Sequence, residues 1–239
     1  MTLIEHHQTL IQQLDISVAK REKLPRLPEN LSLDEAYEIQ AAFTQMADGG
    51  LAGFKAGVTT PSLQAYFGLD GPLMGRLFNR GCLSGHCELP YISGVSIECE
   101  MGIVIDKQGV PKAMMPAIEL VYLHLADPSD MNASNLVASN LAADRFIVGD
   151  AITWRDNFEQ AEVRLSKNGE LLNQAALTEA IGGPAPALKW MIDQTQKLGI
   201  TLEDDMLLMT GTCGGVVAAE QGNYVADYGD LGSISFTIS

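Results

Sequence analysis

Glu98 and Glu100, two residues apart, sit in the otherwise uncharged run Ser96–Ile105. In a strand, alternate side chains leave on opposite faces. Ile97, Cys99, Met101, Ile103 and Ile105 then point one way and both carboxylates point the other. The two glutamates would stand about 7 Å apart, repelling each other unless something cationic lies between them. A divalent ion bound through oxygens would serve, and a solvated polar face is the alternative. Glu119 adds a third carboxylate in an apolar run that follows Pro116. A glutamate there is costly to bury unless it is paired or ligating, although an edge strand could also carry it. Three acidic side chains on two consecutive strands have the chemistry of an open Mg²⁺ or Mn²⁺ site completed by water or substrate. No histidine accompanies them, which argues against zinc.

Lys55 is a single cation among small and apolar residues, just ahead of a turn expected at Thr60–Pro61. Partly buried, such a lysine can orient or protonate an anionic oxygen; on a surface strand it would simply snorkel. The segment Thr210–Gly215 follows a strand but is neither a phosphate-binding loop nor a serine-nucleophile elbow. Its glycines permit close backbone approach, and Thr212 could donate a hydrogen bond. Cys213 has no histidine near it in sequence and reads as a buried structural thiol. His6, His7, His86 and His124 form no metal-ligand spacing.

The whole-chain charge narrows the partners. Thirty acidic against fifteen basic residues give −15, with no stripe of Lys or Arg. Nucleic acid is therefore not expected as a partner, and an anionic substrate would need a cation in its site. Apolar runs are too short to span a membrane, and the opening residues lack a signal-peptide pattern. The four cysteines lack C-x-x-C spacing and read as reduced thiols of a cytoplasmic protein.

The elements that must position these residues fall into two textures. Leu3, Leu10, Ile11 and Leu14 recur at helical spacing until Pro25 and Pro28. Ser32 to Glu35 matches a capping box that opens a second helix, closed by Gly49 and Gly50. Residues 1–52 are thus expected to form a helical section, and residues 53–239 a β-rich unit carrying the candidate site residues and packed with it as one body. Strands are predicted at Gly53–Val58, Ser96–Ile105, Ala117–Leu125, Arg145–Val148, Ala161–Lys167, Met206–Met209 and Ser233–Ile238. Helices are predicted around Asn132–Leu141 and over Pro184–Leu198, with Gly199 at the cap. Helices first and strands later predict an α+β fold.

Several of these segments, in this order, resemble the 2-keto-4-pentenoate hydratase / 4-oxalocrotonate decarboxylase family, a branch of the fumarylacetoacetate hydrolase superfamily. Phe54–Thr59 is similar to the family's K-V-G-L-T, and Phe67–Pro72 with Gly75–Phe78 to G-V-D-x-P and F-G-x-L. Ile97–Glu100 is similar to I-E-x-E, Pro116–Glu119 to P-A-L-E, and Asp230–Ser233 to a closing L-G-S strand. The likeness runs from about Lys20 to the end. It implies a mixed, curved β-sheet or β-roll core with the N-terminal helices packed on it. It also implies Glu98, Glu100 and Glu119 as Mg²⁺ or Mn²⁺ ligands, with Lys55, Thr212 and Asn140 as catalytic residues. The substrate would be a small 2-oxo acid or its enol, and the protein a homo-oligomer that could associate with a related decarboxylase or hydratase. Where the family commonly carries D-N-A-S, this chain has Ser139, Asn140, Leu141 and Ala142, so Asn140 alone is kept. Hydration of 2-hydroxypenta-2,4-dienoate is the expected reaction. Decarboxylation, acylpyruvate-type C–C hydrolysis and a non-catalytic partner role are its alternatives.

Overall fold

The computed structural model describes residues 3–158 and 160–239; the side chain of Leu3, one member of the opening stripe, lies outside the described set. Helices α1 (Leu3–His6), α2 (Gln8–Lys20) and α3 (Leu33–Gln45) come first. The capping box forms as the sequence predicts: the Glu35 N–H donates to Ser32 Oγ at 3.2 Å and the Ser32 N–H to the Glu35 carboxylate at 2.9 Å. Strand β1 (Leu51–Gly57) leads into α4 (Pro61–Phe67), where only a turn was expected. No side chain of α4 is buried, so it leaves no apolar periodicity to read. Its ends are ordinary cap chemistry, with Thr60 accepting from the Leu63 N–H and Gly68 left-handed at the close.

Strands β2 (Leu73–Phe78), β3 (Cys82–Ser84), β4 (Cys87–Leu89), β5 (Val95–Ile105) and β6 (Pro111–Tyr122) follow. The short helix α5 (Ala133–Ala138) precedes β7 (Ala143–Val148), β8 (Ile152–Thr153), β9 (Glu162–Lys167) and β10 (Glu170–Ala176). Helix α6 (Pro184–Lys197) and strands β11 (Met206–Met209), β12 (Val217–Ala218), β13 (Gly222–Asp227) and β14 (Ser233–Ile238) complete the chain. Strand β6 starts six residues earlier than the sequence suggests, because Pro116 does not end it. Its carbonyl accepts from Gly149 just where β6 has left Ile152 of β8 and has not yet met Val148, the end of β7. The missing N–H therefore breaks no ladder.

Nine strands form one mixed sheet, seven of them along the path β2-β1-β11-β5-β6-β7-β3 with β12 beside β5 and β8 beside β6, and five form a second sheet in the order β10-β9-β13-β14-β4. The first sheet curls. Leu77 of β2, Leu207 and Met209 of β11, Met115 and Ala117 of β6, and Phe146 of β7 meet in one buried cluster, although β2 and β7 are far apart along the sheet. On the opposite face, Ile97, Cys99, Met101 and Ile118 pack against Tyr224, Ile234 and Phe236 of the second sheet. Phe54, Ala56, Met74 and Leu208 pack against Ile11, Leu14, Ile39 and Phe43 of the helices. The architecture is the mixed, curled sheet with helices packed on it that the sequence leads one to expect.

Candidate active site

The inner face of the curled sheet also carries the charged residues. Cross-strand register sets Glu98 opposite Glu119, Glu100 opposite Ala117, and Lys55 opposite both Gly75 and Met209. Strand β6 lies between β5 and β7, so Glu119 is an interior residue and not an edge gatekeeper. One carboxylate oxygen from each of Glu98, Glu100 and Glu119 falls within 4.8 Å of the others. Glu100 and Glu119 are buried, and Glu98 is partly open.

Lys55 does not snorkel: it is 3% exposed. Its ammonium donates to Glu119 Oε1 at 2.7 Å and to the Leu141 carbonyl at 3.0 Å. Glu119 Oε2 lies 2.6 Å from the same nitrogen but outside hydrogen-bond geometry. Glu100 Oε2 accepts from the Gly211 N–H at 2.8 Å, while its Oε1 is buried with no donor. Glu98 accepts from the Thr212 hydroxyl.

The turn after β11 delivers two of those donors. It stays alongside β5, with Thr210 N–H donating to Met101 and Cys213 N–H to Cys99, and β12 rejoins β5 at Ile97. Gly211 has φ +96°, and a Cβ there would lie 2.4 Å from Thr59 Cγ2. Glycine is therefore required both for backbone freedom and for space. Asn173 of β10 holds the other side of the turn through the Cys213 carbonyl and the Gly215 N–H. Cys213 itself is wholly buried, and burial pushes its thiol well above the ordinary value, as an inert structural cysteine requires.

Three carboxylates share one ammonium. Burial pushes the Glu100 carboxyl well up, helped by repulsion from Glu119 and Glu98, while Lys55 and the Gly211 N–H oppose the rise. Burial likewise moves Glu119 up to about 7, against the pull of Lys55. Burial works to lower Lys55, but attraction to Glu119, Glu98 and Glu100 outweighs it and holds the ammonium above its usual range. Both partners of the ion pair thus lie high. The stoichiometry explains it: one ammonium faces three carboxylates, which favours the charged form of Lys55 and opposes full ionisation of Glu100 and Glu119. An oxygen-only donor set, a buried carboxylate oxygen without a partner and an uncompensated charge all fit a hard divalent cation.

A cleft of about 210 Å³ opens over this group. Its polar walls include Lys55, Glu98, Thr59, Thr60 and Thr212, and its apolar walls include Leu63, Val121, Leu136, Leu141 and Val216. Asn140 is not among the lining residues. It is fully buried, with Oδ1 accepting from the Arg76 N–H at 2.7 Å and Nδ2 donating to the Arg76 carbonyl at 2.8 Å. The fold therefore brings together Glu98, Glu100, Glu119, Lys55 and Thr212 and directs the Asn140 amide elsewhere. Helix α5 stops at Ala138, short of the expected Leu141, because Asn140, Leu141 and Ala142 turn left-handed with φ of +61°, +52° and +60°. Each such residue costs about 1–2 kcal/mol without compensation. Sequence reading missed Thr59 and the Leu141 carbonyl; only the T-G-T spacing hinted at the Gly211 N–H.

No family model matches the chain. Eight curated proteins do, over most of its length. A 2-keto-4-pentenoate hydratase of Paraburkholderia phymatum is 28% identical over 224 residues, 85% of each chain. One of Burkholderia vietnamiensis is 26% identical, covering 79% of this chain and 78% of its own. Among solved structures, 4-oxalocrotonate decarboxylase from Pseudomonas putida G7, complexed with magnesium and adipate, superposes with a TM-score of 0.90 at 19% identity, over 100% of this chain and 99% of its own. Fumarylpyruvate hydrolase from Pseudomonas aeruginosa, with Mn²⁺ and pyruvate, gives 0.59 at 14% identity over 77% and 88%. These structural likenesses are of fold. Along most of its length the chain is thus similar to 2-keto-4-pentenoate hydratases, and it shares the fold of 4-oxalocrotonate decarboxylase and, more loosely, of fumarylpyruvate hydrolase.

Proposed function

We propose that this enzyme is a metal-dependent lyase of small 2-oxo acids that hydrates 2-hydroxypenta-2,4-dienoate to 4-hydroxy-2-oxopentanoate. The observation carrying the reading is the convergence of Glu98, Glu100 and Glu119 within 4.8 Å beneath a cleft that Lys55 also lines. Those three carboxylates would hold Mg²⁺ or Mn²⁺. When bound, the ion supplies Lewis-acid stabilisation of negative charge at the substrate's carboxylate and 2-oxygen.

The chain's own groups supply the rest. Two of the three Lys55 N–H bonds are committed to Glu119 and Leu141, which leaves the third for an enol oxygen or carboxylate in the cleft. Thr212 fixes the carboxylate of Glu98, and the Gly211 N–H fixes that of Glu100. Leu63, Val121, Leu136 and Val216 form an apolar wall that limits water around the unsaturated tail. Hydration adds H and OH across the conjugated alkene, so the substrate's carbon count and carboxylate are unchanged.

The same walls argue against a 4-oxalocrotonate-type substrate. That molecule carries a second carboxylate, and among the described residues Lys55, already paired with Glu119, is the one cationic side chain lining the cleft. The test is the ultraviolet decay of 2-hydroxypenta-2,4-dienoate with purified protein, with added Mg²⁺ and with chelator. Metal-dependent decay to the hydrated product is expected. Turnover of a dicarboxylate or of an acylpyruvate in its place would reassign the reaction, and absence of all three would leave a binding role.

A further inference from the structure

Asn140, Leu141 and Ala142 adopt left-handed backbone in succession, a conformation that asparagine tolerates and leucine and alanine do not favour. Nothing local to these residues supplies a reason. The compensation is tertiary. The Asn140 amide closes a two-bond ladder on the Arg76 backbone of β2, and Leu141 presses on Gly57 and Gly75. A Cβ on Gly75 would lie 3.0 Å from Lys55 Cγ, 3.3 Å from the Asn140 carbonyl oxygen and 3.3 Å from Leu141 Cβ. The product of the turn is a carbonyl, that of Leu141, delivered 3.0 Å from the Lys55 ammonium.

We propose that Asn140 is a positioning residue: its clamp on Arg76 holds the left-handed turn whose Leu141 carbonyl aims Lys55 into the cleft. The inference rests on the reading of Lys55 as the group that meets substrate. Leu141 O and Glu119 Oε1 fix two ammonium donors in different directions, so the free N–H has one orientation. Without the clamp the turn relaxes, the carbonyl withdraws, and Lys55 retains Glu119 as its one anchor. Metal binding is left alone, because neither Asn140 nor Arg76 touches a carboxylate of the site through its side chain.

Three variants test this. Asn140→Ala and Asn140→Gly both remove the clamp, but glycine accepts left-handed backbone without strain, so the pair separates clamping from backbone tolerance. Gly75→Ala disturbs the same turn from β2. In each, kcat on the dienoate is expected to fall about tenfold or more, with KM within about twofold and Mg²⁺ affinity unchanged. Reductive methylation of Lys55, read by mass spectrometry against exposed Lys189, is expected to accelerate in the same variants. That second reading needs no turnover, so it still judges the proposal if the dienoate proves not to be the substrate. Wild-type kcat and Lys55 labelling in Asn140→Gly would overturn it. Equal losses of kcat, Mg²⁺ affinity and Tm, with Lys55 labelling unchanged, would overturn it too, since that is what a merely structural residue produces.

Discussion

The inner face of the curled sheet has two regions that meet on strand β6. In one, Glu98, Glu100, Glu119 and Lys55 are held by Thr212, the Gly211 N–H and the Leu141 carbonyl, with buried carboxylate oxygens left unpaired. In the other, Leu77, Met115, Ala117, Phe146, Leu207 and Met209 fill the same concavity with apolar atoms. They are adjacent: Glu119 stands opposite Phe146, and Lys55 opposite Met209. The apolar region fills the concavity of the curl. The charged region lies buried beside it, and burial is the largest cause of the shifts at Glu100 and Glu119. One region therefore contributes stability and the other gives some of it up, an arrangement expected where a site is preorganised for charge.

Separating the two regions by mutation orders the expected effects. Lys55→Met should lower kcat by about 10²- to 10⁴-fold while changing Mg²⁺ affinity far less. Equal losses in kinetics and calorimetric titration would contradict the division between Lys55 and the carboxylates. Glu100→Gln should weaken Mg²⁺ binding about 100-fold or more, yet raise the Tm of the metal-free protein, because it removes a buried charge repelled by two others. A lower metal-free Tm would show that the carboxylate cluster stabilises the fold instead.

In the apolar region, Leu77→Ala should cost about 2–5 kcal/mol in denaturant unfolding and leave metal affinity intact. A large loss of affinity would mean the two regions are one. The pH dependence is gentler. Glu119 is raised from 4.5 to about 7 in the fold, so the unfolded chain releases its proton first as pH rises. Stability of the metal-free protein should therefore fall across that window and level off above it, whereas Mg²⁺ affinity should rise over the same range. A flat Tm between those limits would show that Glu119 is not raised by the fold. Smallest of all, Arg155→Gln, which breaks the exposed pair with Asp230, should leave Tm and metal binding unchanged.

How much of this was legible beforehand depended on the period of each signal. The two-residue spacing of Glu98 and Glu100 in an apolar run gives strand, face and shared chemistry at once, and the capping box at Ser32 marks a helix start with the same economy. Glu119 could be recognised as expensive but not located, since its partner Lys55 lies 64 residues away. Strands β3, β4, β8 and β12 escaped notice because two or three residues cannot show alternation, β2 because it is buried on both faces, and β10 because most of it is half-exposed; β13 was missed as well. Helix α4 escaped because none of its side chains is buried. Asn140 shows the limit most clearly. Its place in the segment matching the family's D-N-A-S implied a catalytic group, whereas the fold spends its amide on Arg76, 64 residues earlier.

The sequence by itself determined the residue chemistry: three carboxylates without histidine, one lysine in an apolar setting, a net charge of −15, and the alternation that sorts β5 into two faces. Those follow from covalent identity and local geometry, which need no tertiary partner. The tertiary structure decided the rest. It paired Lys55 with Glu119, turned Asn140–Ala142 left-handed, placed the Gly211 N–H on Glu100 and closed the apolar plug beneath them. Each of these is a contact between segments distant in sequence. Its free energy comes from excluding water where strands converge, a quantity that no local window of residues contains.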